Sequence, residues 1–276
     1  MTLGVGEFWQ IGREQWRVQE GTFARLFVRL LGPLGMHARI RNAHVLHTIK
    51  CLALPEKAAI LDAGCGHAYT TFWLAQRQPG YRLTGIEIDA ALVAANQRIA
   101  TALGLEQVTF RRESLADLSD VAAYDLAYSI DVLEHIADDV GALGRLRCAL
   151  KPGGRLLLHL PLRHQQQQRI FPAFRQHTID DHVRDEYTLN EIRAKLLQTG
   201  FKLAWQGWGF GSAGELAFEL NYLGWQRRWL RNLLALLTYP LALPLAYLDV
   251  RSAPQRGNSL LLLTAPVEEV AHVPLE

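Results

Sequence analysis

The stretch I-L-D-A-G-C-G-H-A, from Ile60 to Ala68, constrains this chain more than any other. A short apolar run ends in Asp62 and enters a turn with glycine at 64 and 66. A helix is expected to open near Ala68. Gly64 and Gly66 tolerate positive φ and put no side chain between the backbone and a ligand. A strand, a bare glycine turn and a helix in succession suit the mouth of a parallel sheet, where open α/β folds place their ligands. The expected contacts to a ligand are the main-chain N–H groups of the turn. Tyr69 occupies the sixth position of the Gly64-x-Gly66 pattern, where a dinucleotide fold carries glycine, so NAD and FAD are disfavoured.

The pattern after this turn alternates strand and helix. Ala58–Leu61 reads as a first strand, and Ala68–Gln78 as a helix ended by Pro79-Gly80. Arg82–Ile86 follows as a second strand, then a helix over Ala90–Leu103 closed by Gly104. Val108–Arg111, Tyr124–Ser129 and Arg155–His159 are further strands, with a helix over Asp139–Leu150 and a Pro152-Gly153 turn between the last two. Thr188 and Glu191 form a capping box that opens another helix. Such alternation predicts a parallel, doubly wound sheet. Glu87 ends the second strand about twenty residues past the glycine turn, where a carboxylate accepts hydrogen bonds from ribose hydroxyls. That spacing serves dinucleotide enzymes equally well.

Three segments carry a resemblance to a known family. The first is the turn itself, D-A-G-C-G-H-A, with Ala68 standing where a third glycine is usual. The second is Y-D-L-A-Y-S-I-D-V-L-E-H-I at 124–136, and the third is L-K-P-G-G-R-L-L-L at 150–158. Together they resemble the class I S-adenosylmethionine-dependent methyltransferases, specifically the group containing the ubiquinone and menaquinone biosynthesis enzymes. The resemblance covers residues 58–161. It implies a Rossmann-like sheet of seven strands with the last antiparallel. It also implies S-adenosylmethionine as methyl donor and S-adenosylhomocysteine as product.

Carried onto this chain, the resemblance places the cofactor against Asp62, Gly64, Cys65 and Gly66, with Glu87 and Ile88 at the ribose. The adenine falls at Ser114 and Leu115. Ser114 replaces the usual acid, and Glu113 is its possible substitute. Ser129 and Ile130 lie beside the methionine end. His135 is the first candidate for a general base, because an imidazole titrates near neutrality. Asp131 and Glu134 fit a capping box, and Asp131 and His135 fall i, i+4 on the expected helix. Without a further ligand this predicts no metal site. The loop after the fifth strand, R-Q-H-T-I-D-D-H-V-R-D-E-Y-T, adds His177, His182, Arg184 and Tyr187 as candidates for acceptor contact, or as a solvated salt-bridged loop.

The flanks read differently. Residues 1–56 form a helical cap, with Phe8, Trp9, Trp16, Phe23, Phe27, Leu30 and Leu31 at helical spacing. A second helix from 38 to 54 carries Arg39, Arg41 and Lys50 around its apolar residues. The cap is either packing or a lid. The cofactor core is assigned to 57–208, an apolar insertion to 209–257, and the last strand and tail to 258–276. Leu233–Leu248 is too short for a typical membrane span, and Pro240 and Pro244 are expected to break it. Arg227, Arg228 and Arg231 precede it. Residues 225–248 therefore suit a membrane surface or lipid-linked substrate, or packing on the core or between the subunits of a homodimer.

The remaining composition limits the partners. A formal net charge of +2 over 276 residues gives no nucleic-acid footprint. Cys51, Cys65 and Cys148 show no metal spacing and read as reduced thiols of a cytoplasmic protein. The first ten residues lack the pattern of a signal peptide. The expected location is cytoplasmic or peripheral at the inner face of the membrane. The expected activity is methyl transfer to a small, hydrophobic or lipid-linked acceptor, most naturally at oxygen. A non-catalytic cofactor-binding protein is the alternative.

Overall fold

The computed structural model describes residues 3–33, 35–163, 167–171, 174, 186–223 and 228–267, with only the backbone at 228, 229, 231 and 232. The chain divides into two compact units. One comprises Leu54–Arg163, Asp181–Gln206 and Leu260–Glu276, the other Met1–Ala53, His164–Asp180 and Gly207–Ser259.

The first unit holds the sheet. Its strands are β1 (Ala59–Ala63), β2 (Arg82–Glu87), β3 (Val108–Arg112), β4 (Tyr124–Ile130), β5 (Leu150–Pro161), β6 (Phe201–Gly209) and β7 (Ser259–Pro266). They lie in the order β3-β2-β1-β4-β5-β7-β6. β1 pairs in parallel with β2 and β4, β2 with β3 and β4 with β5, and the last strand is antiparallel. All five residues of β1 are buried, as a strand covered on both faces requires. The helices are α4 (Tyr69–Arg77), α5 (Ala90–Leu103), α6 (Asp139–Ala149) and α7 (Leu189–Gln198). Asp89 caps α5 by accepting from the N–H of Ala91 at 2.7 Å, and Gly104 closes it in the left-handed conformation. Thr188 and Glu191 form the predicted capping box at α7.

Pro152-Gly153 falls within the bounds of β5, near its start. Tyr124 pairs with Leu150 and Leu126 with Arg155, so the intervening residues bulge out, with Gly153 at φ +80°.

The other unit is helical: α1 (Val5–Trp9), α2 (Thr22–Leu31), α3 (Met36–Lys50), α8 (Ser212–Asn221) and α9 (Arg228–Ser252). Two sequence expectations fail here. Arg39, placed on the polar side of its helix, is fully buried. Its guanidinium donates to the carbonyls of Phe8, Trp9 and Leu31 and to the Tyr239 hydroxyl, at 2.8–3.2 Å. Four bonds of this kind make a buried cation tolerable. Phe23 and Leu30 lie exposed.

The second failure is α9, which runs unbroken through Pro240 and Pro244. Both prolines lie on its exposed side, where solvent can satisfy the freed carbonyls. Ala235, Tyr239, Ala242, Ala246 and Val250 form the buried stripe, while Leu237 and Leu241 face outward. Leu233–Ser252 is consequently long and apolar enough, by length and composition alone, to cross a membrane.

Candidate active site at the carboxyl ends of the strands

Strand register brings the predicted cofactor residues to one edge. Ala63 is level with Ile86, Glu87 with Arg112, Asp62 with Tyr128 and Ile130 with His159. The order reverses between β1 and β4, and ligands bind open α/β sheets at such a switch point.

The glycine turn is built by its missing side chains. Gly64 has φ +80°, and a Cβ there would lie 2.5 Å from Cγ2 of Val132, which fills that space. Gly66 has φ +50°, and a Cβ there would meet nothing within 4 Å. Ala68 adopts φ +53° at the start of α4. Its small side chain limits the cost of that conformation, which glycine would adopt freely.

The turn does not offer its N–H groups as expected. Gly64 and Cys65 both donate to the Ile86 carbonyl, at 3.0 and 2.9 Å. Gly66 donates to Oε2 of Glu87 at 2.9 Å. These three N–H groups are committed to β2, so what the turn presents at Gly66 is open space. Glu87 also accepts through Oε1 from the N–H groups of Ile88 (2.8 Å) and Asp89 (3.1 Å). Three main-chain donors therefore fix this carboxylate in place.

Asp62 is turned inward. Its Oδ2 accepts from Thr71 at 2.6 Å and Tyr128 at 2.9 Å. Burial pushes its carboxyl up to about 7, helped by the charge of Glu87 and opposed by the two hydroxyls. The Cys65 side chain is buried against the place where Gly85 lacks a Cβ. Burial drives its thiol well above the ordinary range, so it is neutral and unreactive. Ser114 caps the short turn Leu115–Asp117 by accepting from the Ala116 N–H at 3.2 Å. Glu113 forms an ion pair with Arg111 at 2.9 Å. Ser129 donates to the Ala63 carbonyl at 2.9 Å and ties β4 to β1.

After Ile130 the chain departs from expectation. Asp131 does not cap a helix. It stands at φ +51° ahead of a short 3-10 turn, Leu133–His135, and so shares no helix face with His135. Two bonds from β5 hold it: its N–H donates to the His159 carbonyl at 3.0 Å, and its Oδ1 lies 2.6 Å from His159 Nδ1. This clamp seats the adjacent Val132 against Gly64. His135 is exposed at the end of the turn. Tyr187, a candidate for acceptor contact, is instead buried, donating to Asp139 at 2.7 Å and to the Leu133 carbonyl at 3.2 Å. His177, His182 and Arg184 lie outside the described residues. Among the described residues no group of three or more His, Cys, Asp or Glu could hold a metal ion.

Two site residues were missed from sequence. Asn96, buried on α5, donates to the Gly66 carbonyl at 2.7 Å and fixes the turn from above. His159 holds Asp131. His159 is one polar residue in an apolar run, which is the signal sequence offers for it; Asn96 opens the polar triplet Asn96-Gln97-Arg98 and carries no such signal.

Residues 61–156 match the family model described as a methyltransferase domain. A trans-aconitate 2-methyltransferase of Deinococcus radiodurans is 34% identical over 113 residues, 40% of this chain and 42% of that protein. A ubiquinone biosynthesis O-methyltransferase of Alkalilimnicola ehrlichii is 32% identical over 114 residues, 40% of this chain and 44% of that protein. The chain thus spans less than half the length of these curated relatives. Among solved structures, the [4+2]-cyclase SpnF has a TM-score of 0.59 at 18% identity, over 83% of this chain and 82% of that one. A TehB-like SAM-dependent methyltransferase from Corynebacterium glutamicum has a TM-score of 0.51 at 16% identity, over 88% and 93%. Residues 61–156 are thus similar to a methyltransferase domain, and the fold is that of solved S-adenosylmethionine-dependent methyltransferases.

Proposed function

We propose that this chain transfers a methyl group from S-adenosylmethionine to a small acceptor. The observation that carries the reading is the pairing of open space at Gly66 with a carboxylate held by three main-chain donors, at the switch point of the sheet. The residues present fit the cofactor. Gly64 and Gly66 would lie under its amino-acid portion, with Ser129 and Ile130 beside it, and Glu87 and Ile88 would meet the ribose. Ser114 and Leu115 would flank the adenine. A carboxylate has about four acceptor positions. Glu87 already uses three, so Oε2 takes one ribose hydroxyl directly and the second requires a rearranged bond. Asp62 and Cys65 support the turn from behind.

When bound, the cofactor supplies an electrophilic methyl carbon on a sulfonium. The protein's part is to hold the acceptor in line and keep water away. His135 is the base candidate on the described chain, with His177 and His182 as the alternatives from the loop after β5. The apolar α9 favours a hydrophobic or lipid-linked acceptor, methylated at oxygen, and residues 225–248 would meet the cytoplasmic face of a membrane. The alternative is a protein that binds the cofactor without methyl transfer; that this fold is not tied to methyl transfer is supported by its likeness to the [4+2]-cyclase SpnF.

The test is thermal stabilisation by S-adenosylhomocysteine, its loss in Gly66→Val, and transfer of label from the donor to an extract. Gly66→Val fills the open space at the turn. Stabilisation by NAD in preference to S-adenosylhomocysteine would overturn the assignment. Stabilisation without label transfer would favour the non-catalytic reading.

A further inference from the structure

We infer that α2, together with the outer face of α9, forms a surface that lies on an anionic lipid bilayer. This deepens the reading of α9 just given and rests on it. The new element is α2. Its side chains at i, i+3 and i+7 are Phe23, Leu26 and Leu30, which are 74%, 54% and 53% exposed, while Val28 is buried. A single exposed leucine needs no explanation, but a stripe of three large apolar side chains on a ten-residue helix does.

The outer face of α9 is of the same kind. Leu237, Leu241 and Leu248 fall at helical spacing and are more than half exposed. The two helices are fixed to one another within one compact unit. The Phe27 ring meets the Tyr239 ring edge-on at 6.2 Å, and the Tyr239 hydroxyl donates to the Leu31 carbonyl at 2.5 Å. Arg39 donates to both Leu31 O and Tyr239 Oη, locking the junction.

Charge decides the occupant. Neither Thr22–Leu31 nor residues 228–248 contains an acid, whereas the exposed Arg25 and Arg29 of α2 supply positive charge. A second copy docked isologously would set cations against cations. An anionic bilayer complements them, and apolar burial combined with basic flanks is the interfacial mode of an amphipathic helix. Crossing the bilayer is opposed by the other side of α9. That buried side also carries Asp249, which is 2.8 Å from His44 Nε2 inside the same unit.

The experiment is co-sedimentation of the full chain with phosphatidylcholine vesicles, with and without phosphatidylglycerol, at low and high salt. It is repeated for a triple variant, Phe23→Ser with Leu26→Ser and Leu30→Ser, and for the milder pair Arg25→Gln with Arg29→Gln. Oligomeric state and stabilisation by S-adenosylhomocysteine are measured on each protein. The expected result is binding to the anionic vesicles, weakened by salt and by the arginine pair, and lowered about tenfold or more by the triple variant. Stabilisation by S-adenosylhomocysteine should not change in either variant. Wild-type binding by the triple variant overturns the proposal, as does absence of binding to anionic vesicles. A wild-type dimer that the triple variant splits, without vesicle binding, assigns the surface to a second copy and also overturns it. Vesicle binding without any response to S-adenosylhomocysteine would refute the proposed function and leave this surface standing.

Discussion

Asp62→Asn should change how stability depends on pH. The wild-type carboxyl is buried and titrates at about 7 in the folded protein against 3.8 for the ordinary group. Between these values the native state keeps a proton that the unfolded chain has lost. Stability from this group is therefore complete below about pH 4, declines as pH rises, and is gone above about pH 7. At about 1.4 kcal/mol for each tenfold change in proton affinity, the interval amounts to about 4 kcal/mol. Asparagine keeps an oxygen that can accept from Thr71 and Tyr128 and has no proton to lose. On going from about pH 4 to about pH 8, the variant should gain about 4 kcal/mol relative to wild type, or about 8 °C in Tm at about 2 °C per kcal/mol. Glu215, which burial also raises to about 7, follows the same trend. It shares no hydrogen-bond partner with Asp62, so it cancels in the difference between the two proteins. The assay is thermal unfolding of both across that range. A Tm difference that does not change with pH would refute the reasoning.

Gly64→Ala should cost about 3 kcal/mol, from the left-handed conformation and from the collision with Val132, and urea unfolding should show it as a lower midpoint. An unchanged midpoint would mean that the Asp131–Val132 turn moves freely. His159→Ala removes the ring contact to Asp131 and should weaken S-adenosylhomocysteine binding about tenfold by titration calorimetry, through loss of about 1.5 kcal/mol of positioning. Retained affinity would show that the main-chain bond alone holds the turn. Replacing one of His135, His177 and His182 by Ala should lower turnover about a hundredfold while cofactor binding persists, with His135 tried first. Normal turnover in all three variants would leave proximity, or another residue, as the mechanism.

The alternation of strands and helices could be read from the sequence because its causes are local. Period, Gly104 at a helix end, Thr188 with Glu191 at a helix start and two glycines after an apolar strand each act over a few residues. Glu87 could be placed for the same reason, since its distance from the turn reflects one strand–helix–strand unit. The bonds that define the site could not. His159 reaches Asp131 because β5 lies beside β4, and that pairing places a ring and a carboxylate 28 residues apart in contact. The N–H groups of the turn are committed to Ile86 and Glu87 by the neighbouring strand β2. The apolar helices show the same divide. Spacing revealed that residues 22–31 and the leucines after 233 have apolar faces, but a pattern states only that a face exists. Which face is covered depends on the neighbour, and packing gave α9's alanines and Tyr239 to the interior while leaving its leucines outside. Two exposed prolines within an unbroken helix follow from the same fact, because local propensity opposed a helix that its buried stripe then held together.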